Sequence, residues 1–212
     1  MNGLIDLDSP RAQEARLYRK IGDTGYKALL VVGSVALIAA VAAAFSLDRR
    51  YAVLMLSPML ACYLPAIWWK RHLSVLPPSG NDLAGTLSVD ALSRLQPGMP
   101  MHPQAMWTAI QGDWQAGFFT THLLISSETV AQNMSTDPAE LQYALQLAGD
   151  MAKKNDRPLV EVGFITAGLM LASGPMRQFL TEHKAQESDI EAIGNWIGRS
   201  VAEEKEDKGN FG

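Results

Sequence analysis

The chain has 212 residues, of which 48% are hydrophobic and 19% charged, with a formal net charge of −4. Residues 1–72 hold 9 Lys/Arg against 5 Asp/Glu, whereas residues 73–212 hold 9 against 17, so a basic apolar front precedes an acidic rear. A single cysteine, Cys62, excludes an intramolecular disulfide framework and a Cys-based zinc site. The acidic rear lacks the basic footprint that nucleic-acid binding requires, and the apolar content is too high for disorder.

Residues 1–26 are polar and read as a cytoplasmic lead-in. Residues 27–72 read as a transmembrane hairpin. Ala28–Leu47 is 20 residues without a charge, which as a helix rises ~30 Å, about one hydrocarbon core. Tyr51–Trp69 is another 19. Only Asp48-Arg49-Arg50 separates the spans 28–47 and 51–69, so they must run antiparallel with both chain ends on one side. Arg11, Arg16, Arg19, Lys20 and Lys27 before the first span, and Lys70 and Arg71 after the second, outweigh Arg49 and Arg50 and place both ends in the cytoplasm. Trp68, Trp69, Lys70 and Arg71 form the membrane-interface anchor. A secretory signal fits poorly, because 27 polar or mixed residues come first and no cleavage site is evident. Ala36, Ala40 and Ala44 share one helix face and suit close packing against the second span. Pro58 and Pro65 would kink that span. Neither span holds an ionisable side chain, which argues against ion coupling and for an anchor in the cell membrane.

Residues 73–103 hold Pro77-Pro78, Gly80, Gly85, Pro97, Gly98, Pro100 and Pro103, a breaker density that predicts a linker with a short helix at Val89–Leu95. Helical periodicity begins at Gln104, and 104–199 reads as a small helical domain. Met106, Trp107, Ile110 and Trp114 fall on one face. Thr120 or Thr121 would cap a helix through Ile125, and Ser127 the next. Asp137-Pro138 opens a long helix with Leu141, Ala144, Leu145, Ala148 and Met151 inward, ending near Lys153-Lys154. Val160–Leu171 suits either a buried strand or a buried helix, and its helical surroundings favour helix. Gly174-Pro175 starts another turn, with Met176, Phe179 and Leu180 facing inward, and Ser188 or Asp189 caps a last helix carrying Ile190, Ile193, Trp196 and Ile197. Residues 200–212 read as a charged tail or linker. The expected class is all-α: a two-helix transmembrane hairpin followed by a pseudo-duplicated helical bundle.

The duplication lies in two echoes. Ser127–Met134 parallels Ser173–Leu180, and Phe119–Leu124 parallels Glu161–Thr166. With ELQYALQLAGDMAKKN, RPLVEVGFITAGLMLASGPMRQFL and SDIEAIGNWI in the second copy, residues 100–199 resemble the Clp N-terminal domain, built of two Clp repeats, at the front of Clp-type AAA+ unfoldases. His122-Leu123-Leu124 retains the His-Leu-Leu of that family's short helix, with Thr121 where Glu is usual. In the second copy Gly163 and Phe164 replace Glu and His. The resemblance implies recognition of protein substrates or an adaptor, with a AAA+ ATPase as partner in cis or in trans. The chain itself has no G-x-x-x-x-G-K-[ST] phosphate loop.

No catalytic, cofactor or metal residue is expected, and the chain is not expected to be an enzyme. His72, His102, His122 and His183 lack ligand spacing. Asp113, His122 and Ser126 would be needed for any nucleophilic set, without a positioning motif to support one. The candidate site is an apolar groove for protein segments lined by Trp107, Trp114, Phe118 and Phe119, for which core packing is the plainer alternative. The expected function is a membrane-anchored protein-binding module for Clp-type unfolding or proteolysis, partnered by the lipid bilayer and protein substrates. The alternatives are the front end of a longer membrane-tethered unfoldase, or a tether with a degenerate domain.

Overall fold

A computed structural model describes residues 5–17, 19–20, 23–46, 57–64 and 83–209. The described residues are helical, as the periodicity predicts, and contain no strand beyond one isolated parallel bridge, Leu87 with Val160. The chain divides into two compact units: Glu14–Pro77 is one, and Met1–Gln13 with Pro78–Gly212 is the other.

The inserted unit holds the second half of α1 (Pro10–Leu17), α2 (Asp23–Ser46) and α3 (57–64). Tyr63 of α3 lies against Gly33 of α2, where a Cβ would sit 2.8 Å from its ring. The Tyr63 hydroxyl is 3.0 Å from Ser34 Oγ. Ala40 is buried, whereas Val31, Val35 and Ile38 are exposed. No helix among the described residues is long and apolar enough to cross a membrane. The described residues give the expected membrane-crossing hairpin no support. Asp48–Arg50, most of the 51–69 span and the anchor Trp68–Arg71 lie outside the described residues.

The helical unit is larger than the sequence suggests. Residues 83–95, expected in a linker, fold onto it as α4 (Leu83–Thr86) and α5 (Val89–Arg94), with Leu87, Val89, Ala91, Leu92 and Leu95 buried. The expected helix at 89–95 is thus present, but as part of the core. Ser88 N donates to the Val160 carbonyl at 3.0 Å and Val160 N to the Thr86 carbonyl at 2.7 Å. The first half of the lead-in also joins this unit, with Ile5, Leu7, Arg11 and Ala12 buried. Breakers around these residues end short helices without keeping the segment out of the core.

Next come α6 (Pro103–Ile110), α7 (Trp114–His122), α8 (Ser127–Asn133) and α9 (Pro138–Lys154). His102 caps α6 and Asp137 caps α9, whose bounds match the Asp-Pro start and Lys-Lys end read from sequence. Two boundaries differ. Trp114 opens α7 behind an Asp113 cap, rather than continuing the helix of Met106 and Ile110. His122–Ile125 is the end of α7 and its turn, not a new helix.

The resolved strand-or-helix question gives α10 (Val162–Ala172), with every residue buried. Each large apolar side chain removed from water there is worth ~1.5–3 kcal/mol. A Cβ at Gly168 would overlap the Ala144 carbonyl, so α9 and α10 meet backbone to backbone. The chain ends in α11 (Gly174–Glu182) and α12 (Glu187–Gly209), which carries helix into the expected tail.

Candidate protein-docking face

Asp113 fixes the start of α7 in two ways. Its Oδ1 accepts from Gln115 N at 2.9 Å, satisfying a free helix-start amide. Its Oδ2 accepts from Arg94 Nη2 at 2.6 Å, which ties α5 to α7. Inside, the buried Gln115 side chain accepts from Gly163 N at 2.6 Å. Gln115, Ala116 and Phe119 therefore form the inner face of α7, and the three- and four-residue steps leave Trp114, Phe118 and His122 outward.

On that outward face three rings stack. The Phe118 and Trp196 centroids lie 4.5 Å apart with planes 6° from parallel. His122 covers Phe118 at 3.7 Å, and its Nδ1 bonds to the Phe118 carbonyl at 3.0 Å. Trp114 and Trp196 each remain 51% exposed. Offset aromatic pairs hold one another without closing off their free faces. The result is an apolar surface with few rotatable bonds, joining α7 to α12.

Of the four expected groove residues, Trp114 and Phe118 share this face. Trp107 and Phe119 are core, each 0% exposed. The Trp107 indole donates to the Ser127 carbonyl at 3.1 Å, which accounts for its burial. Trp196 also belongs to the face, although the sequence reading grouped it only with the apolar residues of the last helix. Ile190, Ile197 and Val201 are buried along one line of α12, and at 100° per residue Trp196 falls about 120° from it. That offset was available from sequence.

The other polar candidates have structural partners. Ser126 caps α8 by accepting from Thr129 N at 3.0 Å. Asp113 and His122 stand nine positions apart along α7, about 13 Å, so they do not form a nucleophilic set with Ser126. His102 Nδ1 accepts from Ala105 N at 3.2 Å. His183 stacks on Phe179 at 4.0 Å and bonds to its carbonyl at 2.9 Å, repeating the Phe118–His122 arrangement. Among the described residues no group of three or more His, Cys, Asp or Glu is placed to hold a metal ion.

The repeated stacks reveal a local likeness between α7 and α11, whereas the sequence echoes pair α7 with α10 and α8 with α11. Both helices end in a left-handed residue, Leu124 at φ 54° and Lys184 at φ 60°. Each is followed by a six-residue turn bond, Ile125 N to Thr120 O and Ala185 N to Leu180 O. Leu124 is 92% exposed.

No protein-family model, no curated protein and no solved structure matches this chain.

Proposed function

We propose that the chain is a membrane-anchored recognition module that receives protein substrates or an adaptor on the α7–α12 face, for delivery to a Clp-type AAA+ unfoldase in cis or in trans. The observation that carries this reading is the exposed Trp114–Phe118–Trp196 surface. A face built of three aromatic rings, two of them half exposed, has the chemistry of a protein contact, because large rigid rings contribute contact area at little entropy cost. The resemblance of residues 100–199 to Clp repeats supplies the partner class. No reaction is assigned to the chain.

Membrane anchoring rests on α2 and α3. Gly33 and Ala40 are buried while Val31, Val35 and Ile38 face out. Small residues inside and branched apolar residues outside invert the order favoured in water and suit lipid. Gly33 and Tyr63 are equidistant from position 48, which suits an antiparallel pairing about Asp48-Arg49-Arg50. The reading places both ends on the cytoplasmic side of the cell membrane.

Alkaline carbonate extraction of membranes tests the anchor: the chain is expected in the pellet with the lipid. Full release into the supernatant contradicts it. Limited proteolysis of right-side-out vesicles tests the orientation, with residues 83–209 expected to be protected until the vesicles are opened.

A further inference from the structure

Residues 14–77 leave and re-enter the same folded unit, so the segments on either side of them meet. The meeting point is specific. Arg11, before the insertion, donates from Nη2 to the Leu87 carbonyl at 3.0 Å, after it, across 76 positions of sequence. Both residues are buried. The neighbours of Leu87 bond the other way: Thr86 O and Ser88 N pair with Val160, immediately before Glu161, the residue that heads the wholly buried α10. Leu87 is thus held between the N-terminal segment and the start of the central helix.

We propose that Arg11 is a latch that closes the two ends of the inserted segment on the helical unit. Pairing of α2 with α3 and docking of residues 83–95 are then coupled. The cause is loop closure. Bringing Arg11 to Leu87 through an unpaired 14–77 segment costs entropy, and a formed α2–α3 pair meets part of it by shortening the free chain, worth about twofold. The coupling is reciprocal: whatever separates α2 from α3 loosens the Leu87–Val160 bridge by the same factor. The latch is therefore a route by which a change in the inserted pair reaches α10. It rests on the Gly33–Tyr63 contact and the Arg11 bond, and it holds whether or not the pair lies in lipid.

The test is amide hydrogen exchange on the full chain in detergent micelles, read at Ser88 and Val160. The Ser173 amide, which bonds to the Leu169 carbonyl inside the same unit, serves as the control. Arg11→Ala is expected to speed exchange at Ser88 and Val160 at least tenfold while leaving Ser173 unchanged, and Arg11→Lys to recover part of the loss. Gly33→Val, which drives the Tyr63 ring away, is expected to speed the same two amides. The double variant is expected to add nothing to the larger single effect. Should Gly33→Val also release Ser173, Tyr63→Phe replaces it, removing only the hydroxyl beside Ser34; it must speed Ser88 and Val160 alone. Unchanged exchange at these amides in the α2–α3 variants, or effects that multiply in the double variant, overturns the latch.

Discussion

Gly168→Ala and Gly149→Ala make the same chemical change in adjacent packed helices and should have opposite effects. In a helix interior, replacing Gly by Ala gains ~1 kcal/mol of helix propensity. At Gly149 nothing lies within 4 Å of the added methyl, so that gain stands alone. At Gly168 the methyl meets only backbone: it overlaps the Ala144 carbonyl oxygen and lies 3.1 Å from Ala144 C and 3.3 Å from Ala148 N. No side chain can turn away, so α9 and α10 must move apart. Overpacking of a dense core costs ~1–3 kcal/mol, and the upper end applies where both surfaces are backbone. The net result is a loss of about 2 kcal/mol, or ~30-fold in opening equilibrium at 1.4 kcal/mol per decade. Hydrogen exchange of the α10 amides in the native chain reads this directly. Gly168→Ala should accelerate those amides ~30-fold, and Gly149→Ala should slow them several-fold. Equal and favourable effects at both sites would refute the claim that α9 and α10 meet at Gly168.

Three other substitutions test particular contacts. Leu124→Gly removes a left-handed leucine at φ 54° that is 92% exposed, and should stabilise the unit by ~1 kcal/mol in urea titration; a destabilising result would mean that the Leu124 side chain has a packing role. Ser173→Ala deletes the hydroxyl that accepts from Ser135 N at 2.9 Å; the expected cost is ~1–3 kcal/mol, read as faster exchange at Ser135, and no change there would refute the bond. Arg94→Ala strands the Asp113 carboxylate, which is 5% exposed, and should cost ~2–3 kcal/mol; insensitivity of the loss to added salt would separate this buried pair from a surface one.

What was legible in the sequence was local. Asp137-Pro138 and Lys153-Lys154 mark α9 because capping and helix-end charge act over one turn. Gly174-Pro175 marks α11 because proline suits the first turn of a helix. The break between α6 and α7 was hidden because Trp114 stays in step with Met106, Trp107 and Ile110 across the turn at Asp113. The docking of residues 83–95 was hidden because its cause is remote: Val160 and Arg11 supply the partners. Within the candidate site, Trp114 and Phe118 lie outward, but no local pattern separates an outward Phe118 from a buried Phe119. Burial there depends on which side α10 occupies. Leu124 gives no sign of its left-handed backbone, since no glycine marks it.

The central claim is that the α7–α12 aromatic face receives unfolded protein segments. The direct measurement is fluorescence anisotropy of labelled, reduced and carboxymethylated α-lactalbumin titrated with the full chain in nanodiscs, beside empty nanodiscs. Saturable binding that weakens at least tenfold in a Trp114→Ala, Trp196→Ala double variant is the predicted result, with α10 exchange confirming that the variant stays folded. Absence of binding above empty nanodiscs, or binding indifferent to both tryptophans, would contradict it.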